Sequence, residues 1–180
     1  METLGERILH AGRWVALKER TFRDRGGRER SWVFAERPGQ TPAVVIVART
    51  ADTGSLIVVE QYRVPFQRPV LEFPAGLLDA GEQAGQAALR ELAEETGYRG
   101  EVLEVGPPVS TTAGLSTETV QLVSVRCGED PAAAPDPDAS ESIRVLKIPP
   151  AGFAAALGRF TAEGRLLDAK LYVYLKEATC

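Results

Sequence analysis

Glu91, Glu94 and Glu95 stand three and four residues apart in the run Arg90-Glu91-Leu92-Ala93-Glu94-Glu95-Thr96-Gly97-Tyr98. On a helix, positions so spaced share one face. Like charges at that spacing repel, by about a few tenths of a kcal/mol per pair. The opposite face carries Ala84, Ala88, Leu89 and Leu92, small and apolar enough to pack on a sheet. An acidic edge on a helix pinned by its other side has two readings. It is a solvated surface, or it holds a hard divalent cation, since Mg²⁺ prefers oxygen ligands and keeps waters for a bound phosphate. Arg90 can pair with Glu94 one turn on and fix its rotamer. Gly76 and Gly81 bracket Leu77-Leu78-Asp79-Ala80 and let the preceding loop turn tightly.

Other chemistries are closed off. The chain has one histidine, His10, so neither a multi-histidine metal site nor the usual Ser/His or Cys/His nucleophile is available. A net charge of −4 gives no global attraction to nucleic acid or to an anionic membrane. No apolar run approaches the ~20 residues of a membrane helix, and Met1–Glu6 lacks the basic and apolar regions of a signal peptide. Only Cys127 and Cys180 are present, far apart, so the expectation is a reduced, cytoplasmic protein without a disulfide framework. A length of 180 residues suits one domain with a real core.

The elements that must position the glutamates read as follows. Arg13 to Arg20 and Ser31 to Glu36 form a hairpin around Asp24-Arg25-Gly26-Gly27. Ala43 to Ala48 is a continuous apolar run, as for a strand buried on both faces. Leu56 to Tyr62 is a second core strand and Val70 to Phe73 a short third. Glu82 to Thr96 is rich in helix formers, with Gly97 as its stop. Strands follow at Val102 to Val105, Val120 to Val125 and Ile143 to Ile148. Gly128 to Ser140, acidic and rich in Ala and Pro, reads as a mobile loop. Helices run from Pro150 to about Gly158 and from Asp168 to Ala178. No internal repeat is evident. The order predicts helices packed on a central mixed sheet.

The run from Gly76 to Tyr98 resembles the Nudix box, G-x5-E-x7-R-E-U-x-E-E-x-G-U, where U is bulky and apolar. Gly76, Glu82, Arg90, Glu91, Glu94, Glu95 and Gly97 match its fixed positions. Tyr98 is aromatic where an aliphatic residue is usual. Seven specified residues, each at ~7% usage, coincide by chance roughly once in 10⁸ starts, which removes accident as an explanation. The resemblance implies a Nudix fold, an α/β (α+β) α/β/α sandwich with a central mixed sheet and an N-terminal antiparallel β segment. It implies a segment 1–40 for dimerisation and base binding, and a hydrolase domain over 41–180. By position, Glu91, Glu94 and Glu95 are implied metal ligands, with Glu82 a weaker candidate; Glu94 and Arg90 are implied to be catalytic, and the backbone of Ala75 to meet the metal or the substrate. The implied metal is Mg²⁺, with Mn²⁺ as the alternative.

The flanks narrow the resemblance. Leu71-Glu72-Phe73-Pro74-Ala75-Gly76, Gln61-Tyr62-Arg63, Gly12-Arg13-Trp14-Val15 and Arg30-Ser31-Trp32 are similar to the ADP-ribose or ADP-sugar pyrophosphatase branch. That branch implies hydrolysis of the diphosphate to AMP and a sugar phosphate, by a cytoplasmic homodimer. It implies that Trp14 and Trp32 sandwich the adenine, as stacking suits a nucleobase. Arg37, Arg63 and Leu115 match substrate-contacting positions, and arginine grips phosphate oxygens bidentately. A catalytic glutamate is implied in a late loop, where Glu141 stands; a mobile loop would deliver it to the attacking water. Glu118 is the second candidate. Ala113 departs, standing where the branch usually has a proline, and leaves open GDP-mannose, FAD or NADH as substrates. A catalytically silent nucleotide sensor is a third reading, opposed by the full set of box glutamates.

Overall fold

Short β-branched runs and one alanine-rich helix set the architecture of the computed structural model, which describes residues 1–137 and 141–177. The chain forms two compact units, Met1–Ala43 with Pro108–Val120, and Val44–Pro107 with Gln121–Cys180.

In the first unit, β1 (Glu2–Ala11), β2 (Ala16–Arg23) and β3 (Glu29–Glu36) form an antiparallel sheet in that order. The hairpin between β2 and β3 closes where expected. Asp24 Oδ1 accepts the N–H groups of Gly26 at 2.9 Å and Arg28 at 3.0 Å, and Gly27 takes a φ of +77°. The expected strand from Arg13 begins only at Ala16, because Gly12–Val15 is a turn in which the Gly12 N–H donates to the Val15 carbonyl at 3.0 Å. β1 escapes a hydrophobicity reading because all ten of its residues are exposed. Cross-strand ion pairs stitch it to β2, Glu6 with Arg20 and Glu2 with Arg23.

The remaining elements are β4 (Ala43–Thr50), β5 (Leu56–Arg63), β6 (Arg68–Glu72), β7 (Ala75–Leu77), α1 (Ala84–Thr96), β8 (Gly100–Ser110), β9 (Thr119–Cys127), β10 (Ile143–Ile148), α2 (Phe153–Ala162), β11 (Leu166–Leu167) and α3 (Ala169–Glu177). One mixed sheet has the order β11-β6-β5-β4-β9-β8, with β10 on β5 and β7 on β4. β5 is its organising strand. It pairs antiparallel with β10 from Leu56↔Ile148 to Gln61↔Ile143, and with β6 from Val59↔Glu72 to Arg63↔Arg68. The expected end of the last helix, Ala178, lies outside the described residues, as does Cys180.

Strand alternation divides β4 between two layers. Val44, Ile46 and Ala48 join Ile57, Val123 and Val125 in the cluster that receives Ala84, Ala87, Ala88 and Leu92 of α1. Arg49 points the other way, donating to the Tyr174 hydroxyl of α3 at 2.8 Å, with its guanidinium 5.8 Å from the Phe153 ring of α2. The sheet therefore lies between α1 and the α2–α3 pair.

Both ends of α1 are capped. Gln83 and Gln86 exchange side-chain and backbone hydrogen bonds at its start. Gly97 takes a φ of +74° and its N–H donates to the Ala93 carbonyl at 2.9 Å.

The described part of the expected mobile loop is anchored instead. Glu129 accepts the N–H groups of Asp52 at 2.7 Å and Thr53 at 2.8 Å, and an ion pair from Lys147 at 2.9 Å. The N–H groups of Ala132 and Ala133 reach the Gly97 carbonyl, and that of Asp136 reaches the Glu94 carbonyl at 2.8 Å. Composition misled here because Ala and Pro residues carry no visible sign of backbone pairing. Residues 138–140 lie outside the described residues.

Leu92 is fully buried against the sheet. Leu92→Ala is expected to cost about 2–5 kcal/mol by transfer and cavity effects. Equilibrium denaturant unfolding measures it; a loss under about 1 kcal/mol would mean that α1 is not held by this face.

Candidate active site

Arg90 is the hub of the acidic edge. Its Nε and Nη2 donate to the two oxygens of Glu82, at 3.0 and 2.9 Å. Its Nη1 donates to Glu91 at 2.8 Å and to Glu94 at 3.0 Å, and Nη2 also reaches the Leu77 carbonyl at 3.0 Å. One guanidinium thus joins the loop before α1 to the helix face. Hydrogen bonding to Glu82 leads the effects that raise the Arg90 pKa, against the opposing effect of burial. The same bond holds the Glu82 carboxyl below its ordinary range. The expected Arg90–Glu94 pair is present as one spoke of this wheel.

The three helix glutamates face different surroundings. Glu94 is exposed, Glu91 is partly covered, and Glu95 is only 4% exposed. Glu95 accepts the backbone N–H of Ala75 at 3.2 Å, which places Ala75 beside the deepest carboxylate. Burial pushes the Glu95 pKa up to about 8, with the charges of Glu91 and Glu141 adding to the rise and the Ala75 bond and Arg63 opposing it. Glu91 is raised too, by burial first, against its Arg90 bond. Burial is the leading cause of both rises, and the neighbouring carboxylates add to it.

Gly76 has a different role from the one its composition implies. Among the glycines with positive φ are Gly81 and Gly97, but not Gly76. A Cβ on Gly76 would lie 1.9 Å from the Glu91 carboxyl group. Glycine is needed there so that the Glu91 carboxylate can lie against the β7 backbone.

The sheet face beneath α1 supplies further groups. Ile57 lies in the α1 cluster, so alternation sends Val59, Gln61 and Arg63 to the same face. Along β5 this face turns from apolar to polar. Arg63 makes a two-point pair with Glu72, at 2.7 and 2.9 Å. Gln61, buried at 5% exposure, donates from Nε2 to Glu141 Oε1 at 3.2 Å. Val145 of β10 also packs on the cluster, and the bond from Gln61 brings Glu141, two residues before β10, to this face as well. Residue-type reasoning passed over Gln61 and Glu72; the period-2 pattern running from Ile57 to Arg63 was the available signal for Gln61.

The candidate base-binding residues belong to the first unit. Trp14 and Trp32 are 65% and 55% exposed, which excludes core packing for both. Trp32, on β3, donates its indole N–H to the Gly114 carbonyl at 3.0 Å. The end of β3 is bonded to the same loop, from Ala35 N–H to the Leu115 carbonyl at 2.8 Å and from Thr117 N–H to the Ala35 carbonyl at 3.1 Å. This brings Trp32, Arg37 and Leu115 to one end of β3. Trp14 stands on the β1–β2 connection, with the Arg13 guanidinium 4.6 Å from its ring centre. Arg37 pairs with Glu118 at 3.0 Å, and Glu118 also accepts from Thr111 at 3.2 Å. Glu118 is thereby engaged within its own unit, whereas Glu141 acts on the Glu91 and Glu95 carboxyls.

No group of three or more Asp, Glu, His or Cys side chains among the described residues forms a ready-made metal cage; Glu91 and Glu94 are both turned to Arg90. The donor set nonetheless suits a hard cation. It consists of carboxylate oxygens, the deepest buried beside a backbone segment, with a glycine that makes room for a neighbouring carboxylate.

A family model described as the NUDIX domain matches residues 39–163. The chain is 36% identical over 181 residues to the ADP-sugar pyrophosphatase of Mus musculus, covering 94% of this chain and 83% of that protein. It is 32% identical over 121 residues to the ADP-ribose pyrophosphatase of Saccharomyces cerevisiae, covering 63% of this chain and 52% of that protein. Among solved structures, one described as an ADP compounds hydrolase matches with a TM-score of 0.72 at 25% identity, over 87% of this chain and 82% of that one. The box residues, gathered by Arg90 on a helix packed against a mixed sheet, and the match over most of the length agree: the chain belongs to the Nudix hydrolase family.

Proposed function

We propose that this protein hydrolyses the diphosphate of ADP-ribose or a related ADP-sugar, adding water across the P–O–P bridge to give AMP and a sugar phosphate. The observation that carries the reading is the buried Glu95 carboxyl, held against the Ala75 backbone on the helix that also bears Glu91 and Glu94. The names of the mouse and yeast relatives support the substrate class.

Glu91, Glu94, Glu95 and the backbone of Ala75 are the residues proposed to hold a divalent cation, Mg²⁺ by preference or Mn²⁺. When bound, such an ion lowers the pKa of water and neutralises charge on the diphosphate. Glu141 is proposed to take the proton of the attacking water. The pairing of β10 with β5 just after it and the bond from Gln61 support that placement. Arg90 sets the rotamers of Glu91 and Glu94. Arg63 offers a cation near the reacting phosphates, with Glu72 fixing its direction. Trp14 and Trp32 are proposed as stacking surfaces for adenine, with Arg37 and Leu115 as further substrate contacts; the exposure of the two indoles supports this.

A homodimer through the 1–40 segment belongs to the same proposal, supported by the exposure of β1 along its whole length. So does a cytoplasmic location. No helix among the described residues is long and apolar enough to cross a membrane.

Glu94→Gln should lower kcat for ADP-ribose with Mg²⁺ roughly a hundredfold or more while the unfolding transition is kept; near-normal turnover would sink the ligand assignment. Trp32→Ala should raise KM for ADP-ribose about tenfold with a smaller change in kcat, as expected for a lost stacking surface; an unchanged KM removes Trp32 as a base platform. The Glu95 carboxyl has a folded pKa of about 8 against an ordinary 4.5. A raised acid contributes stability that is full below the ordinary value and is lost as pH rises through the folded one. Metal-free protein in EDTA should therefore melt at a lower temperature above about pH 8 than near pH 6, and Mg²⁺ should raise the melting temperature more at the higher pH. Equal Mg²⁺ effects at both would contradict a cation beside Glu95.

A further inference from the structure

Gln61 is an expensive residue for its place. The four residues before Glu60 in β5, Leu56 to Val59, are apolar and buried. A primary amide buried beyond them carries a desolvation cost unless its donors and acceptor are used. Leucine or valine would fill the strand without that cost. The Gln61 amide is used on Glu141, by the 3.2 Å bond from Nε2 to Oε1.

The register makes this contact a property of the fold. Gln61 is paired with Ile143 in the last rung of the β5–β10 ladder, and the Tyr62 N–H donates to the Ser142 carbonyl at 3.4 Å just beyond it. Glu141 is therefore two residues past the last rung of the paired strand, where the backbone ladder stops setting direction. A side-chain bond from the neighbouring strand takes over at that point. The neutral amide also suits the task. A lysine or arginine would hold the carboxylate as an ion pair and reduce its readiness to accept a proton. An amide N–H fixes one oxygen with a weaker effect of that kind. The nearest cation along the same face, Arg63, is committed at two points to Glu72.

We propose that Gln61 is a positioning residue, orienting the Glu141 carboxylate toward the water that attacks the diphosphate. The proposal rests on the reading of Glu141 as the general base. Its effect is on the chemical step, with substrate binding left almost untouched.

The test compares wild type, Gln61→Met, Glu141→Gln and the double variant, with kcat and KM for ADP-ribose in Mg²⁺ and thermal unfolding of each. Methionine keeps the volume and removes the donor. Q61M should lower kcat about tenfold to a hundredfold, the range expected for a misplaced catalytic group, with KM within about twofold. On the E141Q background the same change should lower kcat by less than about twofold, because the two residues act as one unit. A carboxylate in place of the amide would keep size and polarity but repel Glu141, so Gln61→Glu should be at least as slow as Q61M; it carries the comparison if Q61M loses its cooperative transition. A Q61M or Q61E enzyme with near wild-type kcat overturns the proposal. So does a rise in KM alone, or an undiminished loss on the E141Q background. Near-normal turnover of E141Q itself overturns the general-base reading, and the positioning role falls with it.

Discussion

The Arg90 guanidinium is the interaction on which the acidic edge depends. Three glutamates within five residues repel one another on a helix. A fourth, Glu82, lies in the loop before it. Arg90 touches Glu82, Glu91 and Glu94 and also takes the Leu77 carbonyl. It therefore compensates charge and joins loop to helix with one group. Lysine could not do this, because a point ammonium lacks the planar fork that reaches two oxygens of one carboxylate while serving others. The fork also sorts the glutamates. Those on Arg90 remain partly open to solvent, and Glu95, bonded instead to the Ala75 backbone, is left deepest, its pKa raised first of all by burial.

Rigidity comes from the other side of α1. Its alanines and Leu92 sit on a sheet face that is wholly apolar at β4 and at the start of β5. Toward the far end of β5 the same face becomes Gln61 and Arg63. Core and site are thus two ends of one surface, divided along a single strand. Small alanines let the helix lie close to the sheet, and closeness buries Glu95. The burial that holds the helix is also the cause of the raised carboxyl pKa.

Much of this was legible in the sequence, and the limits have physical reasons. The box gave residue types at fixed spacing, and helix geometry turned that spacing into an acidic face with an apolar back. The runs at Ala43–Ala48 and Leu56–Tyr62 announced core strands, and Gly97 announced the end of α1. β1 gave no such signal, since its partners are cross-strand ion pairs rather than an apolar stripe. Gly76 was visible as a glycine, but the reason for it, a carboxyl group from fifteen residues on, is a tertiary contact. The 128–137 segment looked loose because its fastening is tertiary, the Glu129 carboxylate on a distant turn and backbone groups on the end of α1, which local composition does not encode. Gln61 is intermediate: strand period predicted its face, and only the β5–β10 register revealed its partner.

The anchored segment after β9 makes a second tie to the helix. A helix leaves its last carbonyls without helical partners. In α1 the Glu94 carbonyl is taken by the Asp136 N–H, and just past the helix the Gly97 carbonyl is taken by Ala132 and Ala133. The segment from Ala132 to Asp136 is thus fastened to the end of the helix that bears the acidic edge. A side chain at Gly97 would strike the Ala133 carbonyl, so the glycine that stops the helix also admits this fastening. Glu141 itself is approached by a strand paired to β5. A carboxylate placed beside a paired strand has part of its ordering cost met in folding. Under the proposed reading of Glu141 as proton acceptor, the fold supplies that group's position, and substrate has only to bind against it.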